Sequence, residues 1–275
     1  MLLRKQQETG LSPERREYLA RIRRRKYFIA FSRAAILIVF VGLWELFAHL
    51  GVIDSFIMSQ PSRILKTIAG VSENGLLGHI AVTSYETVAG FLLGTIIGTV
   101  IAVALWWSGF LSKVSEPFLV VLNSLPKVAL GPVIIIWAGA GARAIIVMAL
   151  AISLIVTVLE MLSGFRQTNP ELIRMIQTFG AKKHQIFLKI VMPYNLNTIF
   201  NTLKINIGLS LVGVISGEFL VSKAGLGYLI VYGGQVFQMD LVMTSVLILA
   251  AVAAIMYQSV VILERFVSRV VSHTQ

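Results

Sequence analysis

Hydrophobic residues in this chain fall into long unbroken runs, and six of the runs are long enough to cross a bilayer as helices. They cover roughly residues 34–50, 85–107, 118–137, 144–162, 198–220 and 241–263. A hydrocarbon core about 30 Å thick needs about 20 helical residues at about 1.5 Å each. Lipid offers no hydrogen-bond partners, so a spanning segment pairs its own backbone as a helix or closes into a barrel. These runs are continuous rather than alternating at period two, which selects helices over barrel strands. The expected fold is all-α and polytopic.

Two runs carry internal structure. The second holds Gly90, Gly94 and Gly98, a stripe of small residues on one helix face that lets a neighbouring backbone come close. The third is interrupted by Pro126 and Pro132 and contains Asn123, Ser124 and Lys127. Proline removes a backbone donor, and irregular polar backbone at membrane depth is tolerated where protein buries it or where it lines a wet cavity. Asn123, Pro126 and Lys127 are therefore candidates for the lining of a pathway, with snorkelling to the inner interface as the alternative for Lys127.

Between the fourth and fifth runs, residues 164–194 have a different pattern. Thr168 or Asn169 can cap a helix, Pro170 suits its first turn, and Glu171 complements its positive end. Leu172, Met175, Ile176 and Phe179 then recur at i, i+3, i+4 and i+7, and Gly180 is a natural stop. A second short helix has Ile186, Phe187, Ile190 and Val191 on its apolar side and Lys182, Lys183 and Lys189 on its polar side. Pro193 ends or bends it before the fifth run. Such a pair either lies on the membrane surface or docks a soluble partner.

Composition agrees with the membrane reading. Of 275 residues 56% are apolar and only 13% charged, with a mean hydropathy of +0.82, too little charge to cover a soluble domain. The net charge of +11 is unevenly placed, because ten basic residues lie within residues 1–33, including Arg21, Arg23, Arg24, Arg25 and Lys26. A basic tract beside an apolar run is a cytoplasmic retention signal and a site for anionic membrane lipid, not a nucleic-acid site. With the amino terminus inside, six crossings put eighteen Lys and Arg in inner segments and four in outer ones. Both termini are therefore expected in the cytoplasm. The chain has no cysteine, and His49, His79, His184 and His273 are too scattered to suggest a metal site.

The 164–194 segment resembles the EAA loop of permease subunits of bacterial ATP-binding-cassette importers, which reads Glu-Ala-Ala, three residues, Gly, nine residues, Ile-x-Leu-Pro. Here Gly180 is followed, nine residues on, by Ile190-Val191-Met192-Pro193, so Gly, Ile and Pro fall in register. Arg174-Met175-Ile176 stands where the family has Glu-Ala-Ala, and Met192 replaces the leucine. Other stretches resemble the nitrate, sulfonate, taurine and bicarbonate permeases, over residues 40–265. They are Trp44-Glu45-Leu46 with Pro61-Ser62, Leu125-Pro126 leading to Pro132 and Trp137, Gly164 with Asn169-Pro170-Glu171-Leu172, and Gly217-Glu218 followed by Gly225-Leu226-Gly227-Tyr228-Leu229.

The resemblance implies a type I importer permease fold of about six transmembrane helices with cytoplasmic coupling helices, in the cytoplasmic (inner) membrane. A basic segment 1–33 would precede a permease domain 34–265, which contains the coupling loop 164–194, and a cytoplasmic tail 266–275 would follow. The permease would work as a dimer, most simply of two copies of itself, with cytoplasmic ATPase subunits that hold ATP and Mg and an extracytoplasmic solute-binding protein. Glu171, Leu172, Arg174, Met175, Ile176, Phe179, Gly180 and Ala181 would dock the ATPase, and Ile190 and Pro193 would close the motif. The chain itself would be non-catalytic and bind no cofactor; it has no Gly-x-x-x-x-Gly-Lys-Ser/Thr run for phosphate, and Gly225-Leu226-Gly227 reads as a turn. Glu218 is a further candidate for the pathway, with a structural hydrogen bond as the alternative. Relatives carry nitrate, sulfonates, taurine, bicarbonate or thiamine-precursor pyrimidines. The rival class, an ion-gradient-driven transporter or channel, calls for carboxylates or histidines at mid-membrane, whereas Glu45, Glu86, Glu160, Glu218 and Glu264 fall mostly near the expected span ends.

Overall fold

The structure is a computed structural model that describes residues 13–70 and 75–272, so residues 1–12 of the basic segment and 273–275 of the tail lie outside the described residues. The chain divides into two compact units after Lys66. In the first, α1 (Pro13–His49) is a single helix of 37 residues. The first span was expected at 34–50, yet no glycine or proline separates residues 14–33 from it, and Tyr27, Phe28, Ile29 and Phe31 extend the apolar run backwards. From Pro13 onward the basic segment and the span are thus one helix, about 55 Å long. Asp54 caps α2 (Ser55–Met58) by accepting from the Phe56 amide at 2.8 Å. Glu45 accepts from the Ser62 amide (3.0 Å) in the first turn of α3 (Pro61–Ala69), which joins two of the sequence motifs directly.

The second unit contains the remaining helices. They are α4 (Leu76–Trp107), α5 (Gly109–Ser124), a 3-10 turn (Lys127–Leu130), α6 (Gly131–Ala138), α7 (Ala142–Arg166), α8 (Pro170–Thr178) and α9 (Lys183–Ile186). After a π-helical turn (Phe187–Val191) come α10 (Met192–Tyr194), α11 (Leu196–Val221), α12 (Leu226–Gln235) and α13 (Met239–Ser272). No strand occurs among the described residues.

The centre of the unit is α7, clasped between α4 and α11. The expected glycine stripe is the seam on α4: Gly90 lies on Ala149, Gly94 on Ser153 and Gly98 on Thr157. Residue numbers rise together on both helices, so α4 and α7 run parallel. Gly213 of α11 lies on Ala149 and Gly217 on Ile145, while Gly164 meets Thr198, so α11 runs antiparallel to α7. Asn206 of α11 knits all three by donating to Thr157 (2.6 Å) and to Thr95 (3.2 Å). Buried amide and hydroxyl pairs of this kind hold membrane helices in register where apolar packing alone is not selective.

The third span differs most from expectation. The break falls at Leu125-Pro126, where Gly109–Ser124 and Lys127–Ala138 meet at 87°. Pro132 does not interrupt anything: it sits in the first turn of α6, where the missing amide hydrogen has no helical partner to lose. A bend this sharp is either a broken span or a loop that re-enters on one side. The parallel course of α4 and α7 decides between them. Arg166, at the end of α7, donates to Ser112, near the start of α5, and, at 3.4 Å, to Glu116 one turn further on. Gly131, by contrast, packs on Met148 and Leu220, towards the other ends of α7 and α11. The segment between α4 and α7 therefore crosses the bundle.

Other ends also move. The second span begins at Leu76 rather than residue 85, so Glu86 lies about a third of the way along α4 and is buried. The second short helix after Gly180 is opened into a π turn ahead of Pro193, which lacks an amide donor and crowds the preceding turn. The Gly225-Leu226-Gly227 turn is the start of α12: Gly225 takes φ +110, a conformation open to glycine, and leads straight into the helix.

Candidate docking site and pathway

The loop between α7 and α11 is built as a stiff unit. Asn169, rather than Thr168, caps α8 by accepting from the Glu171 amide (2.8 Å), and Pro170 fills the first turn. Gly180 adopts φ +77 and returns the chain, its amide donating to Gln177 at 2.9 Å. Thr168 is buried and serves the base of the loop instead. Asn195 donates to the Thr168 hydroxyl and to the Val191 carbonyl, both at 2.8 Å, and so ties the loop's entry to its exit.

An apolar cluster holds this loop against the ends of α4 and α7. Ala102, Leu105, Val158, Met161, Leu162 and Phe165 from those helices bury Ile186, Phe187 and Val191, with Ile173, Ile176, Ala181 and Met192 packed at the edge. The Phe187 ring lies 5.0 Å from Trp106 and 5.4 Å from Phe165. Lys183 donates to the Trp107 carbonyl at 2.6 Å, at the negative end of α4, with its ammonium 5.6 Å from the Trp106 ring.

The expected docking stripe is split by this packing. Ile176 and Ala181 face the cluster, and Leu172 is half-buried. Met175 is 51% exposed and Phe179 is 82% exposed, with Glu171, Arg174 and Gly180 exposed beside them. Ile190 is half-buried and Pro193 exposed. Sequence periodicity found the face but missed Ile173, and it placed Lys183 simply on the polar side. The tandem Trp106-Trp107 at a span end was the available signal for an aromatic anchor.

Of the four pathway candidates, three meet at the broken span. Asn123 and Pro126 are exposed, and the half-buried Lys127 donates to the Asn123 carbonyl (3.0 Å) and side chain (3.3 Å) across the kink. A cavity of about 320 Å³ opens beside them, lined by Val128, Ala129, Pro132, Ser216, Phe219 and Leu220. Its walls include the last two turns of α11, which sets Lys127 towards the end of the bundle away from the loop and not at the loop end. Glu218 lies apart from this group. It is 1% exposed, accepts from the Thr83 hydroxyl at 2.6 Å, and takes the Gly227 amide at the start of α12. Thr83 in turn accepts from the Leu226 amide (2.7 Å), and His79 Nδ1 accepts from the Gly225 amide (2.9 Å). These residues of α4, missed in the sequence, cap α12.

Among the described residues no group of three or more metal-ligating side chains comes together. A bundle of long apolar helices, with one span broken at Leu125-Pro126, is the architecture of a multi-pass membrane protein. The chain belongs to the family of binding-protein-dependent transport system inner membrane components, whose model matches residues 90–273. It is 29% identical over 230 residues to a probable ABC transporter permease protein of Haemophilus influenzae, covering 83% of this chain and 94% of that one. It is 26% identical to a putative aliphatic sulfonates transport permease protein of Bacillus subtilis, over 82% of this chain and 83% of the relative. Its fold matches an inward-facing MetNI methionine ABC transporter with a TM-score of 0.64 at 18% identity, over 70% of this chain and 95% of the other. A bacterial ABC transporter that imports alginate gives a TM-score of 0.62 at 14% identity, covering 90% and 98%. The chain is thus a non-catalytic, multi-pass permease component of the ABC importer class.

Proposed function

We propose that this chain forms half of the solute pathway of an ATP-driven importer and that α8 docks a cytoplasmic ATPase subunit. The observation that carries this reading is the division of α8: Ile173 and Ile176 pin it to the bundle while Met175 and Phe179 stand out, apolar and uncovered. A groove on a soluble partner would bury those two side chains, and the tied loop would pass displacement to α4 and α7 as rigid-body motion. The partner ATPase holds ATP and Mg. A second copy of this chain completes the pathway, and an extracytoplasmic binding protein delivers the solute. The loop end of the bundle then faces the cytoplasm together with both termini.

The solute is a small anion or organic molecule of the nitrate, sulfonate, taurine or bicarbonate kind, in keeping with the transport names of relatives such as the aliphatic sulfonates permease of Bacillus subtilis. Asn123, Pro126 and Lys127 line its route. The test is co-purification of the chain with its ATPase from membranes, with Met175→Glu and Phe179→Glu as variants. Each is expected to lower ATPase recovery at least about tenfold, since a buried apolar anchor is typically worth 1–2 kcal/mol or more, while membrane insertion is unchanged. Normal recovery and transport in both variants would remove α8 as the docking element.

A further inference from the structure

Glu86 of α4 and Glu218 of α11 are both buried, at 2% and 1% exposure, and belong to neither the docking loop nor the broken span. Glu86 follows Thr83 by three residues, so the two share a face of α4, and the Thr83 hydroxyl donates to Glu218 at 2.6 Å. The Glu86 carboxyl thereby lies within hydrogen-bond reach of the Glu218 carboxyl. Among the described residues, no lysine, arginine or histidine forms an ion pair with either group. Two carboxyl groups this close, both out of water and without a cation, cannot both be ionised.

The surroundings decide which of the two carries the charge. Glu218 takes the Thr83 hydroxyl on one oxygen and the Gly227 amide on the other, with the Tyr228 amide also donating to it. Its carboxyl group sits at the positive end of α12. The first turn of α12 is shaped around it. A Cβ on Gly227 would come 2.7 Å from Glu218 Oε2, and one on Gly225 would meet the same carboxyl group. The Gly225-Leu226-Gly227 run is therefore a cradle for an anion. Glu86 has no such donors, and its buried Oε2 is without a partner. The other titratable groups beside the pair are His79 and Tyr228, stacked on each other; His79 Nδ1 accepts from the Gly225 amide, so that nitrogen carries no proton for the pair.

We propose that Glu86 and Glu218 form a proton site, in which Glu86 is a neutral carboxylic acid whose hydroxyl donates to the Glu218 carboxylate. One proton then joins α4 to α11 and supplies the donor that the Glu218 cradle lacks. Glu86 is a positioning residue in this arrangement and acts on the start of α12 through Glu218. Both groups are shut off from water, so the proton is a resident of the folded bundle.

Infrared spectra of the full chain in lipid nanodiscs, with any subunits that co-purify, read this proton directly. A protonated carboxyl absorbs above the amide I band and moves down in heavy water. Such a band is expected in the wild type at neutral pH, and its loss is expected in both Glu86→Gln and Glu86→Met. Thermal midpoints give a second readout. Glu86→Gln keeps a neutral donor and should stay within about 2 °C of the wild type, whereas Glu86→Met loses the donor and should fall by about 4 °C or more. Glu218→Gln turns an accepting oxygen into a donor and should also fall by about 4 °C or more. A wild type without the band, or a band that survives in both Glu86 variants, would overturn the proposal whatever the midpoints do. A midpoint raised by sodium ions at fixed ionic strength in the wild type, but not in Glu86→Gln, would give the space to a metal cation instead. Equal midpoints for Glu86→Gln and Glu218→Gln would refute the placing of the proton on Glu86.

Discussion

Gly180 shows how much a single backbone angle can matter in this loop. Its φ of +77 lies in the left-handed region, and an added Cβ would meet nothing within 4 Å. Any cost of substitution is therefore conformational, about 1–2 kcal/mol for an ordinary L-residue and less for asparagine. Proline, which fixes φ near −65°, is excluded altogether. Transport per ATP hydrolysed is expected to fall in the order Gly180, Gly180→Asn, Gly180→Ala, Gly180→Pro, with insertion unchanged. An alanine variant as well coupled as the wild type would show that this turn does not hold α8. The proline start and this glycine stop were legible in sequence, and the cap was narrowed to Thr168 or Asn169, because each acts within a few residues. What periodicity could not show was which part of the stripe the bundle covers. Ile176 and Phe179 are equivalent on the helix, and only Phe165, Phe187 and their neighbours tell them apart.

At the level of elements, the α4–α7–α11 seam depends on glycines that leave room for another backbone. An added Cβ at Gly213 would sit 2.5 Å from Ala149 Cα and 2.9 Å from its amide nitrogen, which cannot step aside. Gly208, about one and a half turns earlier on the same helix, has nothing within 4 Å. Gly213→Ala should lose about 1–3 kcal/mol to overpacking. Gly208→Ala should gain up to about 1 kcal/mol in helix propensity. Thermal unfolding in detergent separates them; equal midpoints would mean that the helices are less closely packed than described. The GxxxGxxxG spacing on α4 announced this seam, but the true start of α4 was hidden. Residues 76–84 include His79, Thr83 and Ser84, which look like loop when the only alternative is lipid. His79 and Thr83 sit in a helix because their partners are Glu218 of α11 and the amides at the start of α12, and such partners are invisible to a hydropathy window. Lys127 and Asn123 belong to the same scale. Cysteines placed there should react with a polar thiol reagent and be protected by solute, whereas one at the buried Ser153 should not. Protection at neither kink position would take the broken span out of the pathway.

For the whole molecule, the number and direction of crossings are predictions that rest on two independent arguments, and one experiment tests both. The charge count favours an inside amino terminus, since the opposite threading would place eighteen basic residues outside and four inside. The helix register says something that charge cannot. Because α4 and α7 run parallel, the 109–138 segment must cross, and the 87° bend is a break in a span rather than a re-entrant loop. The ion pair of Lys204 with Glu264 at 2.8 Å, early in α11 and late in α13, brings the end of α13 back to the loop end. A reporter active only in the cytoplasm, fused after Lys113, Ala140, Lys183, Lys223 or Gln275, should give signal at the first, third and fifth positions alone. A re-entrant segment would make the signals at Lys113 and Ala140 equal while leaving the contrast between Lys183 and Lys223. Reversal at all five positions would instead defeat the charge argument and leave the register intact, because parallel packing fixes relative directions and carries no information about which side is which.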